Sequence, residues 1–259
     1  MSQTHDRQFV IALARGLDIL RCFRASDPML GNQEIAARTG LPKPTVSRLT
    51  HTLTRLGYLV HVERYAKYRL GTAVMSLGYT ALAGMDIREV ARPLMQELAD
   101  YSDVAVALGS HDHTSMIYVE ICRGKGALTV RLGTGSRIPV AATAMGRAYL
   151  AAVGESERDV ILDEVRRRYP GEWPALKAGV EQAVRDMAER GFTTSLSEWQ
   201  TDVHAVGAVV RQPGTGPIMG LNCGGAAFLL PPERLEQDLG PRLAKLACDI
   251  EMALGRRHP

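Results

Sequence analysis

The chain has 259 residues, 46% of them hydrophobic and 23% charged, with a formal net charge of +3. That length suits one large domain or two ordinary ones with a real core, and the mixture excludes wholesale disorder and a low-complexity fibre. No window approaches about 18 consecutive apolar residues, and Met1 to Arg7 lacks the apolar stretch of a secretory signal. Cys22, Cys122, Cys223 and Cys248 lie too far apart for a zinc knuckle or a CxxC pair. A reduced cytoplasmic setting is expected, with no membrane partner, metal or cofactor.

The charge is uneven along the chain. Residues 1–71 hold 11 basic side chains against 5 acidic ones, net +6; the remaining 188 hold 20 against 23, net −3. A basic head on a mildly acidic body suggests a polyanion-binding module joined to something else. In the head, Val10, Leu13, Leu17 and Leu20 follow helical spacing and predict a core-facing stripe on a helix ending near Arg24. Asn32 is the expected N-cap of a short second helix that Thr39-Gly40 ends. Pro42 and Pro44 suit the start of a third helix, which runs to about Leu56 before Gly57.

That third helix divides by face. Val46, Leu49, Leu53 and Leu56 should meet a core, whereas Thr45, Arg48, Thr52 and Arg55 repeat at the same spacing one residue earlier. Ser47, Thr50, His51 and Thr54 fill much of the remaining arc. Hydroxyls and cations without carboxylates bond phosphate oxygens and base edges; from Ile35 to Val62 there is no carboxylate, while Arg38, Lys43, Arg48, His51 and Arg55 fall there. Residues 58–62 and 67–70 read as strands joined by a turn. Helix, short helix, helix and hairpin predict a winged helix-turn-helix, with the helix at 43–56 in the major groove of double-stranded operator DNA. Lys43, Thr45, Ser47, Arg48, His51, Thr52 and Arg55 are the candidate DNA contacts, with Arg64 and Lys67 at the hairpin tip.

Five motifs in this head, in order and spacing, resemble the IclR family of bacterial transcriptional regulators. They are Ala14-Arg15-Gly16-Leu17-Asp18-Ile19-Leu20, Glu34-Ile35-Ala36, Thr39 through Leu49, Gly57-Tyr58 and Tyr68-Arg69-Leu70-Gly71. Residues 1–71 are then the DNA-binding domain. Residues 72–86 carry Val74, Leu77, Ala81 and Met85 in helical register with a second apolar face, Met75 and Leu82, and form the expected linker helix. The resemblance implies that this helix supports a homodimer, or a dimer of dimers.

From residue 87 to 259 the pattern is mixed. Helices are expected near 87–101, 143–153, 155–168, 174–190 and 232–255, the last kinked at Gly240-Pro241. Strands are expected at 104–108, 116–122, 128–132, 192–196, 203–211 and 217–223. This order predicts an α+β domain, an antiparallel sheet with packed helices; the resemblance implies a GAF-like effector domain. The glycine-rich run Arg131 to Pro139 leads into a helix at Thr143, where free N–H groups suit an anion. By the resemblance, backbone at Ala144 and Met145 would meet the anionic end of a small organic acid or aromatic metabolite. Leu128 and Val130 would form an apolar wall, and Thr143, Ser195, Asn222 and Cys223 belong to the same pocket. Glu198-Trp199 departs from the family pattern, lacking a glycine after the glutamate.

No GxSxG, GxxxxGK[ST], HExxH or GxGxxG segment is present, so no catalytic residue is expected. Two rival readings remain. One is a hydrolase with an appended helix-turn-helix, since Ser195, Asp202 and His204 have triad residue types. The other is a small-molecule sensor whose basic head makes protein contacts. His111-Asp112-His113 reads as a solvated turn.

Overall fold

The computed structural model describes residues 8–24, 26–125 and 132–257. The chain forms two compact units, Met1–Gly84 and Met85–Pro259.

The first unit runs α1 (Ile11–Arg21), α2 (Asn32–Thr39), α3 (Lys43–Arg55), β1 (Leu59–Val62), β2 (Lys67–Leu70) and α4 (Thr72–Ala83). Ile19, Leu30, Ile35, Val46 and Leu59 make its buried core. β1 and β2 pair as an antiparallel hairpin, and Leu30 exchanges backbone hydrogen bonds with Tyr68 at 2.9 and 2.8 Å. Gly40 adopts φ +70 at the end of α2, and Gly57 adopts φ +77 after α3, where side chains are disfavoured.

Three expectations need correction here. α1 stops at Arg21 and buries Gly16 and Ile19, leaving Val10, Leu13 and Leu17 exposed. The helix is apolar on more than one arc, so spacing alone did not select the core face. Asn32 is the first helical residue rather than the cap. Gly31 caps α2, and its N–H donates to Glu34 Oε2 at 2.7 Å. On α3, Thr50 is fully buried and donates to the Val46 carbonyl at 3.0 Å, whereas Leu56 is exposed. α4 contains no buried residue, although Met75, Leu77 and Tyr79 are apolar and exposed.

The second unit runs α5 (Asp86–Ser102), β3 (Ala105–Asp112), β4 (Ser115–Arg123), β5 (Arg137–Pro139), α6 (Ala144–Ala152), α7 (Glu155–Arg168), α8 (Trp173–Arg190), β6 (Thr193–Leu196), β7 (Val203–Val210) and β8 (Met219–Ala226). A helical turn α9 (Pro232–Arg234), a π-helical stretch (Leu235–Leu239) and α10 (Gly240–Arg257) follow. Six antiparallel strands form one sheet in the order β5-β4-β3-β8-β7-β6. The expected terminal helix is thus two segments joined through a π turn. Pro241 has no N–H for the carbonyl four residues back, and Gly240 lies against the Phe192 ring. The strand expected at 128–132 falls mostly outside the described residues; β5 is the strand that borders β4.

Small residues shape the face of the sheet that meets α6. A Cβ added at Gly207 would meet the Ala144 carbonyl at 2.2 Å, and one at Gly109 or Gly220 would strike the Met145 side chain at 2.5 Å. The first turn of α6 therefore sits directly on the backbone of β7, and Met145 fills the hollow that two glycines leave. α5 covers the other face, where Cys223 meets Ser102.

Candidate functional site

On α3, Ser47, Arg48, His51, Thr52 and Arg55 are exposed together with Lys43, while Thr45 is half-buried. Residues 48, 51, 52 and 55 share one helical face. The side chains of Arg48, His51 and Arg55 hold no hydrogen bond or ion pair among the described residues. Ser47 accepts a bond from Asn32 Nδ2 at 3.2 Å, and Thr52 donates back to the Arg48 carbonyl at 3.0 Å. At the hairpin, Arg64 stands over the Tyr65 ring at 5.4 Å. Lys67 pairs with Glu34 at 3.0 Å, so its charge is already answered within the unit. The Gly31 N–H first, and then Lys67, hold the Glu34 carboxyl below its usual range.

In the second unit a partly open cavity lies between the sheet, the start of α6 and the β6–β7 loop. Ala105, Ala107, Ala205 and Gly224 give it a low floor. Ile121, Leu132, Ile138, Val203 and Trp199 supply apolar walls, and Tyr118, Thr143, Ala144, Ser195 and Asn222 complete it. Tyr118 and Ile121 share the lining despite their odd spacing. Leu108 pairs with Glu120 and Gly109 with Tyr118, so Val119 is a bulge that resets the alternation.

The polar groups of the cavity are mostly engaged. Ser195 donates to the Ala142 carbonyl at 2.9 Å. Thr143 donates to Pro139 at 2.7 Å and accepts from the Gly146 N–H at 3.3 Å, as an N-cap should. Asn222 Nδ2 donates to Tyr118 Oη at 3.3 Å. Burial pushes the Tyr118 phenol up to about 12, so it keeps its proton at neutral pH. Among the described residues no charged side chain lines the cavity.

Behind the wall, Arg147 is buried. Its Nε donates to the Ala141 carbonyl at 2.9 Å and its Nη1 to Glu198 Oε1 at 2.7 Å, with a second bond from Nη2 to Glu198 Oε2. This fork ties α6 to the loop that carries Trp199. Sequence reasoning assigned Arg147 no task; a charged residue on the apolar side of a helix was the available signal, while its carboxylate partner lies in the distant β6–β7 loop.

Of the predicted pocket residues, Thr143, Ala144, Ser195 and Asn222 line the cavity together. Met145 and Cys223 do not. Met145 packs into the sheet, and Cys223 points to the face opposite Asn222, as strand alternation demands. Burial pushes the Cys223 thiol up to about 12. Leu128 and Val130 lie outside the described residues. The triad residue types stay apart. His204 bonds the Leu230 carbonyl at 2.8 Å and Ser197 Oγ at 3.0 Å, while Ser195 is turned to Ala142. Among the described residues no group of three His, Cys, Asp or Glu side chains could hold a metal ion, and no helix is long and apolar enough to cross a membrane.

A winged helix-turn-helix with a cationic third helix, followed by an α+β unit with a lined cavity, defines a transcriptional regulator of the two-part kind. The IclR helix-turn-helix domain model matches residues 12–63, and the bacterial transcriptional regulator IclR C-terminal model matches residues 79–252. The chain belongs to the IclR family of transcriptional regulators. It is 31% identical to the HTH-type transcriptional regulator TsaQ1/TsaQ2 of Comamonas testosteroni, over 96% of this chain and 90% of that one. It is 47% identical to an IclR family transcriptional regulator from Brucella abortus whose crystal structure superposes with TM-score 0.90, covering 98% and 95% of the two chains. An IclR homolog from Microbacterium hydrocarbonoxydans complexed with 4-hydroxybenzoate shares the fold (TM-score 0.69, 22% identity, 95% and 99% coverage).

Proposed function

We propose that this regulator is responsive to a small organic acid or aromatic metabolite held in the cavity of its second unit. The observation that carries this reading is the cavity itself: apolar walls with an indole, a few convergent polar groups, and the first turn of a helix at one side. The N-terminal turn of α6 is the place for an acid group, since among the described residues no cationic side chain lines the space. Thr143, Ala144, Ser195 and Asn222 are the contacts; Met145 supports them from beneath.

Residues 1–71 read operator DNA, with Arg48 as the principal base-edge contact and Lys43, Thr45, Ser47, His51, Thr52, Arg55 and Arg64 around it. Two copies present their heads together. The exposed apolar arc of α1 and the uncovered α4 (residues 72–86 with its flank) are the surfaces that support pairing, because contiguous exposed apolar side chains mark interfaces. Occupancy of the cavity shifts the population of paired arrangements and so the affinity for DNA.

The experiment is fluorescence anisotropy on the intergenic DNA beside the gene and on a scrambled duplex, across salt. Wild type should prefer the native duplex with a log–log salt slope of several units. Arg48→Ala should weaken operator binding by about 1–3 kcal/mol and random binding by less. Equal loss on both duplexes would make Arg48 a phosphate contact. Absence of binding to either would reject the DNA-reading assignment.

A further inference from the structure

We infer that the occupant of the cavity carries a hydroxyl group, seated on the Asn222 amide and the Tyr118 phenol. The inference rests on the proposed reading of the cavity as the effector site. Asn222 lines that space and is only 8% exposed. Its Nδ2 donates to Tyr118 Oη, but its Oδ1 is buried and has no hydrogen-bond partner among the described residues. Native proteins rarely leave a buried amide oxygen unanswered, because the group has lost water and gained nothing. Tyr118 is in the complementary state. It is 4% exposed, protonated at neutral pH, and accepts from Asn222, and its own hydrogen has no acceptor among the described residues.

Together the pair offers one acceptor and one donor. A hydroxyl is the small group that answers both, donating to Oδ1 and accepting from the phenol. A methyl answers neither, an ether oxygen only accepts, and a carboxylate has no proton to give. An ammonium would donate, but it would be desolvated in a cavity with no carboxylate on its lining among the described residues. Turning the Asn222 amide over would remove the preference over an ether or carboxylate oxygen, and the methoxy compound below separates the two orientations. Oδ1 would then accept from Tyr118, and Nδ2 would donate to the oxygen of the ligand hydroxyl. The surroundings fit a compact group, because Ala107 and Gly224 leave the floor low and Ile121 closes an apolar side.

The test is calorimetric titration of the full-length protein with matched acids: 4-hydroxybenzoate, benzoate and 4-methoxybenzoate, and lactate with propionate. In at least one set the hydroxy acid should bind about 10- to 100-fold more tightly than its partner without the hydroxyl, the usual consequence of leaving buried polar groups unpaired. The methoxy compound should bind no better than benzoate. In Asn222→Ala the preference should shrink to within about threefold, with a urea midpoint close to that of the wild type reporting that the second unit is still folded. Tyr118→Phe should reduce the preference in part. Equal binding of hydroxy and unsubstituted acids by wild type would overturn the hydroxyl and leave the acid site standing. So would a preference that survives both substitutions. If no acid in either set binds, the reading of the cavity fails and the hydroxyl falls with it.

Discussion

Replacing Gly179 by alanine would place a methyl carbon 2.1 Å from Nη2 of Arg147, 2.4 Å from its Cζ and 2.9 Å from its Nε. All three atoms belong to one rigid plane, so the guanidinium must leave rather than bend aside. Arg147 is 3% exposed, and leaving means giving up the Ala141 carbonyl and the fork on Glu198. Breaking a buried pair costs about 3–5 kcal/mol; Glu198 is 43% exposed and rehydrates, so about 3 kcal/mol is the appropriate end. Against this, Gly→Ala inside a helix gains about 1 kcal/mol. The net expectation is a loss of about 2 kcal/mol in the wild-type background. In an Arg147→Leu background the conflict is removed, and the same substitution should stabilise by about 1 kcal/mol. The sign reverses because Gly179 is tolerated for the sake of one side chain. Urea unfolding followed by tryptophan emission measures this cleanly, since Trp173 and Trp199 are the only tryptophans and both lie in the second unit. A loss of about 2 kcal/mol should move the midpoint by about 1 M. A neutral or stabilising Gly179→Ala in wild type would refute the argument, as would an equal loss in both backgrounds.

Gly71→Ala should unfold the first unit or leave it insoluble, because its Cβ would stand 2.1 Å from the Gly57 carbonyl oxygen, a backbone atom that cannot step aside; circular dichroism of the head and loss of DNA binding report it. Glu34 has a folded carboxyl below the ordinary 4.5, first through the Gly31 N–H and then through Lys67. Its stabilising contribution is present above the unfolded value and is lost as pH falls through the lower folded value. Glu34→Gln should therefore lower the stability of the head at neutral pH and lose that penalty as pH falls below about 4.5, which flattens the acid-side fall; an unchanged acid limb would assign that fall to other carboxylates.

Most of the head was legible because its residues do one job each. Gly40 and Gly57 stop helices where left-handed backbone is needed, Pro42 and Pro44 open α3, and the run without carboxylates from Ile35 to Val62 marks a surface kept free for phosphate. The errors came where a helix has more apolar arc than its own unit can cover. Val10, Leu13 and Leu17 obey helical spacing as well as Gly16, Ile19 and Leu20 do, and periodicity carries no information about which arc meets the other helices. Thr50 was misplaced for the converse reason. A threonine can satisfy its hydroxyl on the Val46 carbonyl and present only a methyl to the core.

In the second unit the same limit appears as a question of parity. Asn222 and Cys223 both came forward from the last strand, but adjacent residues in a strand face opposite ways, so only one of them can line the cavity. Parity is fixed by what the neighbouring positions hold. Gly220 and Gly224 flank Asn222 at two-residue intervals, and Gly109, Ala107 and Ala105 repeat the pattern on β3. Small residues on one face of three adjacent strands leave a hollow that larger side chains would have filled. Met145 plugs part of it and the cavity is the remainder. That pattern was in the sequence, and it selects Asn222 over Cys223 without coordinates. The Val119 bulge was not, since nothing in β4 marks where the count slips by one. Without that slip Tyr118 and Ile121 would face opposite sides. The phenol and its Asn222 partner meet only because a local irregularity overrides the period of the strand.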